Sequence, residues 1–250
     1  MGIFIYFIFF NGDNKSEEWY NKGIDLQNER NYKEAIKYYD KAYKIDSGFA
    51  ATWNNKGVDF HNQGKYEEAI KCYDKALEID PRPALTWYNK GLALAKLERY
   101  VEAIKCFDKA LEIDPRFADA WVGKGVALSG LVRYTEAVEC YDRALKINPR
   151  YALAWYNKGN TLVKMGRYTE AIECFDKALE INPRDAGVWD GKGVALHYLG
   201  RYSEAITCYD KALEIDPRLA DAWYNKGLAL DKLGRHTEAK ECYNRAQRLR

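Results

Sequence analysis

Apolar side chains recur along this chain at helical spacing, in segments that glycine and polar residues separate. Within residues 155–183, a Trp, a Gly and a Leu stand at the first, fifth and eighth positions, so they share one helix face. Gly166 ends that pattern, and apolar residues at steps of three and four then run through 168–179. Pro183 stops the second segment, because proline cannot extend the helical hydrogen-bond ladder. The pattern predicts two helices joined by a short turn.

The same pattern recurs at a fixed period of 34 residues. A period of this length is typical of stacked like units, each of which buries its apolar face against the next. The sequence therefore predicts an all-α solenoid. Its seven units are expected at 16–49, 50–83, 84–117, 118–151, 152–185, 186–219 and 220–250, after an apolar arm at 1–15. The period is marked by the seven tryptophans of the chain, Trp19, Trp53, Trp87, Trp121, Trp155, Trp189 and Trp223.

A glycine follows each Trp by four residues, in the middle of the first helix of each unit. Glycine in a helix interior costs about 1 kcal/mol relative to alanine, so a cost repeated seven times indicates a compensating gain. We expect close helix approach, with an aromatic side chain of the second helix in the space of the missing side chain.

The repeated residues resemble the tetratricopeptide repeat. Counted from Trp, they are Gly at four, a large apolar residue at seven, Ala at sixteen, Tyr or Phe at twenty, Ala at twenty-three and Pro at twenty-eight. The resemblance covers residues 16–250. It implies a right-handed superhelix of antiparallel helix pairs whose first helices line a concave groove. It also implies a non-catalytic protein that binds a peptide or partner protein and needs no cofactor.

Charge and cysteine usage narrow the functional classes. The chain has 39 Lys plus Arg against 37 Asp plus Glu, a net charge of +2, which gives no electrostatic case for nucleic acid as a partner. All six cysteines occupy one slot of the repeat, too far apart for disulfides at the spacing of stacked helices. No metal-binding or catalytic motif occurs. We expect buried thiols in a reducing compartment, and hence a cytoplasmic protein.

The first ten residues, MGIFIYFIFF, stand outside the repeat. The apolar run is too short to span a bilayer, which needs about 20 residues. Its β-branched and aromatic residues favour an extended conformation. A docking arm, a truncated anchor and a start-site artefact remain alternatives.

The repeats differ most on the first helices, where we expect the groove. The slot two after Trp holds mostly Asn, whose amide can pair with a peptide backbone; a purely structural Asn series is equally open. Tyr follows the Trp directly in alternate repeats. The candidate groove residues are Tyr20, Asn21, Asn55, Tyr88, Asn89, Tyr156, Asn157, Asn160, Tyr224 and Asn225.

The sequence thus predicts a protein–protein interaction scaffold. A self-assembling structural module, joined through the N-terminal arm or the end faces, is the main alternative. An accessory subunit of an enzyme is a third. A Lys stands three after each Trp, and an Asp recurs near the middle of the second helix. Both recur as regularly as the core residues, and they are possible ion-pair partners.

Overall fold

The computed structural model describes residues 15–46 and 50–249, and these form fourteen α-helices without a β-strand. The predicted all-α class is confirmed. The N-terminal arm, apart from Lys15, lies outside the described residues. The helices are α1 (Lys15–Asn28), α2 (Tyr32–Ile45), α3 (Ala50–Asn62), α4 (Tyr66–Ile79), α5 (Ala84–Lys96), α6 (Tyr100–Ile113), α7 (Ala118–Gly130), α8 (Tyr134–Ile147), α9 (Ala152–Lys164), α10 (Tyr168–Ile181), α11 (Ala186–Tyr198), α12 (Tyr202–Ile215), α13 (Ala220–Lys232) and α14 (His236–Leu249).

Two compact units divide the chain, residues 1–131 and 132–250. In the first unit, α1 pairs with α2, α3 with α4 and α5 with α6, and each even helix also packs on the odd helix that follows. The second unit repeats this order from α8 to α14. Within each unit a helix therefore contacts near neighbours in sequence, as expected of stacked repeats.

The mid-helix glycines allow the two helices of a repeat to approach closely, as the sequence predicts. A Cβ built on Gly57 would lie 2.5 Å from Cε1 of Tyr73, and one on Gly91 would lie 2.7 Å from Cε1 of Phe107. No side chain larger than hydrogen fits beside these rings without a shift. The aromatic residues are fully buried. The same contact occurs at Gly23, Gly159, Gly193 and Gly227.

The recurring Lys and Asp residues form ion pairs between successive repeats. Lys90 on α5, for example, lies 2.5 Å from the Asp74 carboxylate on α4, and its ammonium group is 5.6 Å from the Trp87 ring centroid. Each pair is partly exposed, so it contributes at most about 1 kcal/mol. The other pairs are Lys56–Asp40, Lys124–Asp108, Lys158–Asp142, Lys192–Asp176 and Lys226–Asp210.

The turn inside each repeat needs one residue with a positive φ. Glycine supplies it in four repeats, with φ of 75–76°. Val132 has φ 63° at the matching turn of another repeat, a conformation that β-branched residues rarely adopt.

Candidate partner-binding face

The candidate site lies on the odd-numbered helices. Six positions of each odd-numbered helix share one broad stripe: the residue two before each Trp and those one, two, five, eight and nine after it. We call the side chains at these positions the inner face. The first unit contributes this face from α1, α3, α5 and α7, and the second unit from α9, α11 and α13. All ten candidate groove residues belong to it.

In the first unit, four of the candidate residues are buried, and three of them, Tyr20, Asn55 and Asn89, form hydrogen bonds between repeats. Tyr20, Asn55, Tyr88 and Asn89 are fully buried. Asn55 Nδ2 donates to the Tyr20 hydroxyl over 3.0 Å, and Asn89 Nδ2 donates to Oδ1 of Asn54 over 3.3 Å. Asn54 Nδ2 in turn donates to Asn55 Oδ1 over 3.1 Å. These four side chains are therefore not exposed to a ligand in this unit, contrary to the expectation from the sequence.

The second unit contains the same bond between repeats. Asn225 Nδ2 donates to Oδ1 of Asp190 over 3.1 Å. In all three bonds the Asn stands two after its Trp, and its acceptor stands one after the preceding Trp, 35 residues earlier. The Asn amides thus join successive first helices. Asn21, in the same slot of the first repeat, is exposed.

Sequence reasoning missed a buried acidic group beside this network. Gln27 Nε2 donates to Asp59 Oδ1, and the Tyr39 hydroxyl donates to Gln27 Oε1 over 3.1 Å. Asp59 is fully buried, and its Oδ2 has no hydrogen-bond partner among the residues that the structure describes. Burial raises the pKa of this carboxyl to about 8, against the lowering effect of the Gln27 hydrogen bond. An Asp six after a Trp, where five of the seven repeats carry Ala or Thr, was the available signal.

The inner face of the second unit is open by comparison. Tyr224 is 42% exposed and Leu228 is 37% exposed. Tyr198 is 61% exposed, and its ring stacks on Tyr168 with centroids 5.0 Å apart and planes 7° apart. Large apolar and aromatic groups that stay exposed along one face are typical of binding surfaces. The remaining candidate residues of this unit, Tyr156, Asn157, Asn160 and Asn225, are partly exposed.

Two glycines of α11 shape the centre of this face. A Cβ on Gly187 would lie 3.5 Å from the Tyr156 hydroxyl, and one on Gly191 would lie 3.3 Å from Asn160 Oδ1. The polar ends of both α9 side chains therefore lie against bare backbone of α11. This brings Tyr156 and Asn160 together with the surface of the next repeat.

The edge of the face formed by α11 and α13 is acidic. Burial raises the pKa of Asp190 to about 6, the hydrogen bond from Asn225 lowers it, and the charge of Asp221 raises it further. Asp190 is half-buried and Asp221 is exposed. A cation placed here would relieve the repulsion between the two carboxylates.

Among residues 15–46 and 50–249, no group of three or more His, Cys, Asp or Glu side chains is arranged to hold a metal ion. No helix in this part of the chain has the length and apolar character needed to cross a bilayer.

Family models match most of the chain. A tetratricopeptide repeat model matches residues 16–49, 50–83, 84–117, 152–185 and 220–250. A second model, described as TPR repeat, matches 133–166 and 193–234, and another tetratricopeptide repeat model matches 174–207. No curated protein sequence matches the chain.

Solved structures share the fold. A tetratricopeptide repeat protein from Parabacteroides merdae is 19% identical, with a TM-score of 0.77 over 94% of this chain and 93% of its own. YrrB, a tetratricopeptide protein with an unusual peptide-binding site, is 28% identical, with a TM-score of 0.59 over 75% of this chain and 97% of its own. MamA is 28% identical, with a TM-score of 0.59 over 66% of this chain and 96% of its own.

Proposed function

Because the chain belongs to the tetratricopeptide repeat family, we propose that it is a non-catalytic scaffold whose second unit binds a segment of a partner protein. The segment occupies the inner face of α9, α11 and α13. The observation that carries this proposal is the row of exposed large side chains on that face, Tyr198, Tyr224 and Leu228. YrrB, similar over three quarters of this chain, has a peptide-binding site, which supports the same class of activity.

The chemistry of the face favours an apolar segment with one basic group. Tyr224 and Leu228 offer apolar contact area, and burial of such groups supplies most of the driving force of binding. Asp190 and Asp221 favour a Lys or Arg side chain beside them. Tyr156 and Asn160 add hydrogen-bonding groups at the centre, beside the glycines of α11.

The thiols fit a cytoplasmic location in this proposal. All six cysteines are free and buried. Burial raises the pKa of Cys72 to about 12 and that of Cys106 to about 11, so the reactive thiolate is suppressed. Unreactive, unpaired thiols are expected of a protein that stays in a reducing compartment.

Selection from a random peptide library displayed on phage tests the proposal. Peptides that bind the parent chain are expected to carry apolar residues and a Lys or Arg. Leu228→Asp should weaken their binding at least tenfold, about 1.4 kcal/mol. The matched control is Ile215→Asp. Ile215 lies at the end of α12, outside the inner face, and is exposed to a similar degree as Leu228.

The acidic edge has its own test. The double change Asp190→Asn and Asp221→Asn should remove the preference for Lys or Arg while leaving the apolar preference in place. Equal binding to the parent chain and the Leu228→Asp variant would contradict the proposed site. Failure to select any peptide at micromolar affinity would contradict the proposed activity.

A further inference from the structure

A lysine that recurs in the second helix of the repeat contacts the Trp ring of its own repeat in part of the chain. In five repeats this Lys stands twenty-two after the Trp. The ammonium group of Lys75 lies 4.2 Å from the ring centroid of Trp53, and that of Lys211 lies 4.3 Å from the ring centroid of Trp189. The negative charge of the indole face attracts a cation at this distance.

In two other repeats the same Lys pairs with a carboxylate instead. Lys109 lies 2.6 Å from Glu112, and Lys177 lies 2.9 Å from Glu180, three residues further along the same helix. The two repeats in which the Lys contacts the ring carry a Glu at that position as well. The occurrence of both arrangements in one chain indicates that they differ little in free energy.

A cavity lies beside the Trp ring in each repeat where the Lys pairs with Glu. Its volume is about 500 Å³ at Trp87 and about 460 Å³ at Trp155. Ligand sites typically have about 300–1,000 Å³. At Trp155 the cavity lies between α9 and α10, and the buried side chains of Leu162 and Cys174 line it. Trp155 and Leu162 stand on the side of α9 opposite to the inner face.

The two cavities differ in charge at one matched position. Glu173, eighteen after Trp155, lines the cavity there and forms no ion pair with any residue that the structure describes. The matching residue in the cavity at Trp87 is Lys105. An unpaired carboxylate attracts a cation, whereas an ammonium group at the same place repels it. The cavity at Trp155 is therefore the one suited to a positively charged group.

A lysine that already stands beside the ring does not exclude a second cation. The ammonium group of Lys158 is 5.6 Å from the Trp155 ring centroid and is paired with an Asp of the preceding repeat. At Trp53 the equivalent Lys56 lies 5.0 Å from the ring centroid, and Lys75 lies over the same ring. One Trp ring thus contacts two ammonium groups in this chain, and the place of the second is open at Trp155.

We propose that the cavity at Trp155 binds a Lys side chain of a partner protein. This Lys takes the place that Lys75 has over Trp53, with its ammonium group over the indole ring and its aliphatic part against Leu162. Glu173 supplies the opposing charge. The site lies outside the inner face, so it is separate from the site of the proposed function.

The indole N–H signals of the tryptophans in a nitrogen-15 NMR spectrum test this site. The probe is a blocked pentapeptide with one central Lys among Gly and Ser residues. The control peptide has norleucine, which keeps the aliphatic chain and lacks the charge. The Lys peptide should shift the Trp155 signal to saturation, and the norleucine peptide should bind there at least about fivefold more weakly. Trp155→Phe and Trp87→Phe assign the two signals.

A reciprocal exchange of charge provides the matched variants. Glu173→Lys installs the residue of the other cavity and should weaken binding of the Lys peptide at Trp155 at least about fivefold. Lys105→Glu is the reverse exchange and should strengthen binding at Trp87 by a similar factor. Both positions are exposed on their helices, so circular dichroism should stay unchanged.

Removal of the chain's own lysine should open a filled site. In the parent chain the Trp189 signal should not respond to the Lys peptide, because Lys211 lies over the ring. Lys211→Met should make this signal respond. Leu228→Asp, which tests the inner face, should leave the response of Trp155 unchanged.

Four outcomes would overturn this inference. Equal shifts with the Lys and norleucine peptides would show an apolar site that does not select a cation. Shifts of all tryptophan signals together, without saturation, would show general charge attraction. An unchanged response after Glu173→Lys would remove the assigned carboxylate. Loss of the Trp155 response in Leu228→Asp would place the Lys peptide on the inner face, which leaves the proposed function standing and this site without a ligand.

Discussion

The ring of Phe107 lies where a side chain on Gly123 would stand, since a Cβ there would be 2.7 Å from its Cε1 atom. The ring thus lies between Gly91 of its own repeat and Gly123 of the next. Phe175 has the same position beside Gly191. In the other repeats this aromatic residue is Tyr, and in the four of them that a further repeat follows, that next repeat carries Asn in place of Gly. Those pairs are Tyr39–Asn55, Tyr73–Asn89, Tyr141–Asn157 and Tyr209–Asn225.

This correlation shows that the Asn slot varies together with the aromatic slot of the preceding repeat. Burial raises the pKa of the Tyr39 hydroxyl, and the nearby Asn55 side chain of the next repeat lowers it. A Phe offers no hydroxyl, and glycine then lets the ring approach the helix. The sequence alone contains the correlation between the two slots. The contact between them becomes apparent only when successive repeats are packed.

A double substitution tests the pairing. Gly123→Asn alone should destabilise the first unit by about 1–3 kcal/mol, because its side chain overlaps the Phe107 ring. Adding Phe107→Tyr recreates the pair found at Tyr39 and Asn55 and should recover at least about 1 kcal/mol. Urea denaturation followed by circular dichroism measures both. Effects that add to within about 0.5 kcal/mol would show that the two slots are independent.

Because Asn89 forms a hydrogen bond between repeats, its loss should lower the stability of the fold, although the sequence assigned this residue to binding. Asn89→Ala removes the donor to Asn54 Oδ1 in a buried site, so the free energy of unfolding should fall by about 1–2 kcal/mol. Asn21→Ala is the matched control, since Asn21 occupies the same slot but is exposed. Its effect should stay within about 0.5 kcal/mol. Equal thermal midpoints for the two variants would contradict a structural role of Asn89.

The same pair of residues shows how far the sequence could predict this site. The period located the slot and the helix that carries it, and glycine spacing predicted the ring contacts. Whether the residue two after Trp is exposed could not be predicted, because this position lies at the border between the helix interface and the inner face. Asn21 is exposed and Asn89 is buried through their neighbours alone. The burial of Asp59 likewise depends on Gln27 of the preceding repeat, which no local pattern reveals.

The turn at Val132 predicts a stabilising substitution. Its φ of 63° costs about 1–2 kcal/mol for a residue with a Cβ, and its side chain is 67% exposed, so little burial is lost on removal. Val132→Gly should raise the free energy of unfolding by about 1 kcal/mol, after allowance for the greater freedom of glycine in the unfolded chain.

The reverse change provides the control for that turn. Gly166 has φ 76°, and a Cβ added there would meet nothing within 4 Å. Gly166→Ala should therefore cost about 1 kcal/mol through the backbone alone. The urea midpoints of both variants, at unchanged slope, measure the effect. A lower midpoint for Val132→Gly would show that the valine side chain contributes more than its backbone strain costs.

The buried carboxyl of Asp59 predicts a loss of stability as the pH rises. Its pKa is raised to about 8 in the folded chain, against about 3.9 for an unfolded Asp, so the folded state holds a proton that the unfolded state releases. This contribution is complete below pH 4 and disappears as the pH approaches 8. The pKa of His61 is lowered to about 4, mainly by burial, so stability from this residue rises with pH up to about 6.5. Asp190 acts in the acid range, since its pKa is about 6.

Between pH 6.5 and 8, the difference between the parent chain and a variant without the Asp59 carboxyl isolates this residue, because the raised pKa of the buried thiols affects both chains equally. Over this range Asp59 should cost the parent chain roughly 1–2 kcal/mol of unfolding free energy. Asp59→Asn keeps an oxygen that can accept the hydrogen bond from Gln27 and has no titrating proton, so its stability should fall by that much less over the same range. Urea denaturation at pH 6.5, 7.2 and 8.0 compares the two chains. A parallel loss in both would assign the pH dependence to another group and would place the pKa of Asp59 well below the window.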